Sequence, residues 1–169
     1  MEYDKNFVKQ FAKTTSESVS LFYECAKHFK PCFERVSGAF VRRSLPLGNN
    51  FGFTLFALGL NPLGYPVSVD SKAMNRVLDS CESYDEGKVR GGIVTFRDII
   101  NHELVYSAFF TSKNKKLDTY DRKGVMLSHF SEDYRGRFYL ESLTDFLNDR
   151  KNNDLDKNSL DFFRVNKDN

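Results

Sequence analysis

Apolar positions recur at three- and four-residue intervals over residues 5–29, where Phe7, Phe11, Val19, Phe22, Cys25, Ala26 and Phe29 alternate with Lys9, Lys13, Glu17 and Glu24. Such a stripe predicts a long amphipathic helix lying on a core, interrupted at Thr14, Thr15 and Ser16. Pro31 removes a backbone donor and ends that helix, so a second one starts beside it and turns Phe33, Val36, Ser37 and Phe40 inward. The densest apolar and aromatic run comes next, residues 49–60, closed off by Pro46 and Gly48 on one side and Pro62 and Gly64 on the other. Its shortness, its aromatics and the two glycines at 52 and 59 predict a buried central strand.

Downstream, the pattern predicts a short strand at residues 67–69 and then a helix from Ser71 to Glu82. Asp70 is its N-cap, and Ala73, Met74, Val77, Leu78 and Cys81 lie on one face. Residues 83–88 are polar and end it. Residues 89–96 predict a second strand, with Gly91 and Gly92 as a bulge or bend outside its middle. Residues 98–111 fit helix and strand alike until Leu104, from which the reading is strand. Residues 112–123 form a charged loop. Residues 124–130 and 137–140 form a hairpin across residues 131–136, and Ser142 with Asp145 marks an approximate capping box for a helix carrying Leu143, Phe146 and Leu147. Residues 152–158 are polar and expected to be mobile, with Leu160, Phe162, Phe163 and Val165 docking the tail on the domain. No internal repeat or break in composition divides residues 1–169. The fold class is therefore α+β in a single domain, N-terminal helices packed on a mostly antiparallel sheet.

Composition sharpens this in two respects. The 169 residues suffice to bury about two-thirds of the unfolded surface, and 17 Phe and 8 Tyr with no Trp make the core phenylalanine-rich. The net charge of +2 is spread evenly, with 10 basic and 8 acidic residues up to residue 84 and 15 of each after it. Neither a basic nucleic-acid wrapper nor an acidic mimic of DNA is indicated. The polar, acidic start, the absence of an apolar run of about 18 to 20 residues, and three cysteines predict a cytoplasmic protein with reduced thiols.

Candidate chemistry is sparse. Cys25, His28 and Cys32 are spaced so that a folded-back Cys81 would complete a three-thiolate, one-imidazole zinc site, although Pro31 falls between the ligands and no standard zinc module has this spacing. Core packing of the cysteines is the favoured reading, and neither metal nor cofactor is expected. Cys25 with His28 is also the spacing of a nucleophile pair, without a cleft to support it. His102 has Glu103 beside it but no second histidine at metalloprotease spacing, and His129 falls in a predicted strand. Glu86 and Lys88, with Asp70 or Asp79 upstream, approach the acidic-plus-lysine pattern of metal-dependent nucleases, but the Glu follows a polar turn instead of ending an apolar strand.

Residues 51–56, Phe-Gly-Phe-Thr-Leu-Phe, resemble in aromatic spacing the octamer on the third strand of RNA-recognition-motif domains, whose aromatics stack bases on an open sheet face. Asn49 and Asn50 stand where that octamer has a basic residue and a glycine, and the segment about 30 residues upstream reads as helix instead of the partner strand. The resemblance covers six residues and assigns no family. Burial of Phe51, Phe53 and Phe56 is the preferred reading, because Leu55 and Leu58 make the opposite face apolar too.

With no complete catalytic signature, the sequence favours binding over catalysis: a small accessory or inhibitor protein of the phage or mobile-element type, engaging a host protein or a nucleoprotein machine. Its expected contacts are Tyr134, Arg135 and Arg137 on the 131–136 turn, with Arg42 and Arg43. The alternative is direct nucleic-acid binding through Arg42, Arg43, Lys113, Lys115, Lys116, Arg122 and Lys123. A small metal-dependent nuclease or hydrolase is the third reading.

Overall fold

The computed structural model describes residues 12–14, 34–36, 48–61, 66–84, 91–111, 125–129, 138–149 and 153–164. They build a seven-stranded sheet in the order β1-β6-β5-β4-β3-β7-β2. The strands are β1 (Ala12–Thr14), β2 (Glu82–Tyr84), β3 (Gly91–Asp98), β4 (Leu104–Thr111), β5 (Val125–His129), β6 (Phe138–Ser142) and β7 (Leu155–Arg164). β1 runs parallel to β6, and every other pairing is antiparallel. Among the described residues the sheet is accompanied by α1 (Asn50–Ala57), α2 (Ser71–Asp79) and α3 (Leu143–Asn148), with residues 34–36 also helical. The α+β class with a mostly antiparallel sheet is as the sequence predicts.

β3 to β6 form a meander of sequence neighbours, and both faces of it are covered. On one face Val94, Phe96, Ala108, Phe110, Met126 and Phe162 pack with Leu143, Phe146 and Leu147 of α3. On the other, Ile93 and Leu104 pack with Phe51 and Leu55 of α1 and Met74 and Leu78 of α2. The alternation of a strand puts Tyr106, Ala108 and Phe110 on the first face. Leu104 reaches the second face because Arg97 pairs with Leu104 while Phe96 pairs with Tyr106, so Val105 is an extra residue on β4. This bulge flips the register of side chains at the end of the hairpin.

Residues 50–57 correct the expected central strand: they are a helix. Phe51, Gly52, Phe53, Thr54, Leu55, Phe56 and Ala57 are all buried, and a helix apolar on every side carries no period to separate it from a buried strand. Its ends carry the distinction. Asn49 caps the first turn by accepting from Gly52 N at 3.0 Å. At the other end Gly59, at φ 74°, donates to Phe56 O and Leu60 N donates to Leu55 O, the paired bonds of a Schellman cap. Arg35, in the helical residues 34–36, adds a guanidinium that donates to Ala57 O at 3.2 Å, a cation at the negative end of the helix. The glycines that argued against a helix are thus a C-terminal cap and, at Gly52, a site of close approach. The RNA-recognition-motif likeness fails for the same reason, since Phe51, Phe53 and Phe56 lie inside a helix and are buried.

Further expectations are corrected. Residues 12–14, placed in the long N-terminal helix, form β1, where Thr14, a residue type that disfavours helix, lies in a strand that completes the backbone groups at the edge of β6. Residues 67–69 belong to no strand, because a side chain takes the backbone groups of Val69. Glu82 to Tyr84 leave the helix end and form the edge strand β2 against β7. Residues 155–164, expected as a mobile segment and a docking tail, are a strand inserted between β3 and β2. The Gly91–Gly92 pair opens β3 without a register shift, and the irregularities lie instead around Phe96 and Arg97. α2 with its Asp70 cap, α3 with its Ser142 cap, and the β5–β6 hairpin match their sequence signals.

Candidate functional site

The turn between β3 and β4 concentrates exposed apolar surface on an ordered backbone. Ile99 is 53% and Ile100 86% exposed, both far outside the range of the core isoleucine Ile93 at 0%. They are held out by hydrogen bonds that close the turn from within. Asp98 N donates to Glu103 O at 2.8 Å, His102 N to Asp98 O at 3.1 Å, and Ile99 N crosses to Asp154 O at 3.0 Å. Asp98 Oδ1 accepts from both Ile100 N and Asn101 N, at 2.8 and 3.1 Å, and Asn101 Oδ1 accepts from Glu103 N at 3.0 Å. Each of the six backbone N–H groups from Asp98 to Glu103 therefore has an acceptor within the protein. The Arg97 guanidinium donates to His102 O at 3.1 Å and clamps the return of the chain.

Asp and Asn shape this turn through their short carboxylate and amide groups, which fold back on neighbouring backbone. His102 takes the left-handed conformation, φ 59°, that completes it. Beneath the turn, β7 is distorted to match. Arg97 pairs with Asp156 while Thr95 pairs with Asp161, and the intervening residues are stitched by Ser159, whose hydroxyl accepts from Arg97 N at 3.0 Å and donates to Asp156 O at 2.7 Å. Asn158 N donates to Asp156 Oδ1 at 2.9 Å. The tip thus rests on a second rigid turn instead of standing alone.

Among the described residues, the rim around Ile99 and Ile100 is acidic. Asp98, Glu103, Asp154 and Asp156 face Arg97 and Lys157 as the cations of residues 97–103 and 153–158, a formal balance of −2 on a chain of +2. Sequence reading missed this site by treating residues 98–103 as ambiguous. The available signal was Asp98 and Asn101 bracketing two isoleucines, turn formers that force the apolar pair onto a tip.

Most sequence candidates lie outside the described residues: Cys25, His28, Cys32, Arg42, Arg43, Glu86, Lys88, Lys113, Lys115, Lys116, Arg122, Lys123, Tyr134, Arg135 and Arg137. Cys81 is placed at the end of α2, where it packs against the α1–α2 core and its thiol donates to Val77 O at 3.2 Å. Burial pushes that thiol above its ordinary pKa, against a smaller downward pull from Ser80. The Asp70 carboxylate accepts from Ala73 N at 2.7 Å as a helix cap, and Asp79 is exposed at the last turn of α2. His102 is exposed on the β3–β4 turn, and His129 is the last residue of β5. Among the described residues no three His, Cys, Asp or Glu side chains are grouped so as to hold a metal ion, and no helix is long and apolar enough to cross a membrane.

No protein-family model, no curated protein and no solved structure matches the chain.

Proposed function

We propose that the chain is a non-enzymatic binding module, a small accessory or inhibitor protein of the phage or mobile-element type that engages a host protein or nucleoprotein machine from the cytoplasm. The observation that supports this is the exposed Ile99–Ile100 pair on a turn whose backbone donors are all satisfied. Burying an isoleucine side chain is worth about 2 kcal/mol, and a tip already fixed in shape loses little conformational entropy on docking. The expected contacts at Tyr134, Arg135, Arg137, Arg42 and Arg43 belong to this same reading and lie outside the described residues.

Tagged co-purification from a host lysate, with and without nuclease and at low and high salt, tests it. The reading expects a stoichiometric protein partner that survives nuclease. Recovery of nucleic acid alone, lost as salt rises, would overturn it and favour direct nucleic-acid binding through Arg42, Arg43 and the lysines of residues 113–123.

A further inference from the structure

We infer that the β3–β4 tip enters an apolar pocket with a basic rim on a protein partner, Ile99 and Ile100 filling the pocket while Asp98, Glu103, Asp154 and Asp156 face its cations. This rests on the binding-module reading and names the chemistry of the partner. Two independent features converge on it. One is the apolar pair at the apex, 53% and 86% exposed. The other is the sign of the charge among the described residues around it, four carboxylates against Arg97 and Lys157, opposite to that of the whole chain.

The backbone sets the mode of contact. With every N–H from Asp98 to Glu103 already donated inside the protein, the tip has no free donors along its backbone with which to extend a partner's sheet. Recognition falls to side chains: desolvation of the isoleucines at the centre and charge complementarity at the rim, the arrangement that gives interfaces their specificity and association rate. Arg97 is engaged with His102 O, so its guanidinium is turned to holding the loop. The same carboxylates disfavour the other two surfaces an apolar tip might enter, since phosphates of nucleic acid and anionic headgroups of a bilayer both repel them.

The probe is a random-peptide display library selected against the full chain, with Ile99→Ser/Ile100→Ser as the counter-target. Both positions are exposed, and thermal melts of the variant confirm that it folds. Expected are peptides in which aromatic or aliphatic residues adjoin Lys or Arg, binding the double variant about tenfold or more weakly, in line with loss of a hot-spot anchor. Glu103→Lys/Asp154→Lys retains the backbone bonds of the tip and is expected to weaken these same peptides and to weaken them less at high salt. Peptides that bind the wild type and the serine variant equally would overturn the tip as the docking element while leaving the binding-module reading standing. Tip-dependent peptides without basic residues, or binding of the tip to phosphatidylcholine–phosphatidylglycerol vesicles, would overturn the partner chemistry. Failure to select any binder would overturn the inference outright, and co-purification decides the broader reading separately.

Discussion

Asn49 grips Val69 by both backbone groups: its Nδ2 donates to Val69 O at 2.6 Å and its Oδ1 accepts from Val69 N at 3.1 Å. The carboxamide does for residues 67–69 what a neighbouring strand would do, and the same Oδ1 caps α1 through Gly52 N. One side chain therefore starts a helix and satisfies an extended segment 20 residues away. Asn50 repeats the device on β4, accepting from Ser107 N at 3.1 Å beyond the stretch where β4 pairs with β5. Thr54 and Ser107 join their hydroxyls beneath it at 3.0 Å, so these buried polar groups are paired.

Replacing Asn49 by Asp separates the two roles. Asp and Asn are equal as N-caps, but a carboxylate cannot donate to Val69 O. Asn49→Asp is expected to lower the unfolding free energy by about 1 kcal/mol or more, the cost of a part-buried acceptor left unpaired, and Asn49→Ala by more. Urea unfolding of the two variants measures the difference. Equal stability of Asn49→Asp and wild type would mean that the bond to Val69 O contributes nothing.

At Gly52 a β-carbon would occupy the space held by the Val67 carbonyl oxygen, which is backbone and cannot rotate away. Helix propensity alone expects Gly52→Ala to stabilise by roughly 1 kcal/mol. The packing expects the reverse, a loss of about 3 kcal/mol as α1 is forced from residues 66–69. The sign of the change in melting temperature decides between the two.

Tyr106 donates to Ser128 Oγ at 2.6 Å against the ring of Phe146. Burial pushes its phenol above the ordinary tyrosine range, the bond to Ser128 pulls it down, and Glu141 and Tyr139 push it up further. A raised folded-state pKa means the folded protein holds a proton that the unfolded chain releases. The resulting stability is complete below about pH 10, the unfolded value, and is lost as pH rises toward the folded one. Stability measured from pH 8 to 11 is expected to fall at the alkaline end, and Tyr106→Phe to flatten that fall while costing about 1 kcal/mol at neutral pH.

Cys81 carries a similar expectation in reactivity. Because burial raises its pKa, less thiolate is present at pH 8 than in a free cysteine, and thiolate is the nucleophile. Alkylation followed by peptide mapping is expected to show Cys81 modified more slowly than a free thiol, with the rate rising steeply with pH. Modification as fast as glutathione would contradict its packing at the end of α2.

Asp98 organises the tip. Asp98→Ala removes the acceptor for Ile100 N and Asn101 N, at an exposed site where water replaces part of the loss. The expected cost is about 1 kcal/mol, a fall in melting temperature of roughly 2 to 4 °C, with faster amide hydrogen exchange at Ile100 and Asn101. Exchange unchanged at those two amides would show that the turn is held by its other bonds.

What the sequence determined by itself is the structure written in neighbouring residues. Asp70 and Ser142 cap α2 and α3 because a side-chain oxygen three residues before an amide needs nothing else. The β5–β6 hairpin, the strand from Leu104 and the buried fate of Phe51, Phe53 and Phe56 follow from alternation and apolar content. Tertiary structure decided the cases in which the backbone's partner is remote. Residues 50–57 satisfy helix and strand patterns alike. They become a helix because Asn49 and Asn50 bond Val69 and β4, Gly52 admits the Val67 backbone and Arg35 covers the far end. The polar segment 152–158 reads as loose in isolation, yet β3 has an open edge whose hydrogen-bonding groups residues 155–159 help to complete. The exposed Ile99–Ile100 tip was hidden by the same limit: apolar residues predict burial on average, and only the closure of the turn from Asp98 to Glu103, tied to Asp154, shows that these two face outward.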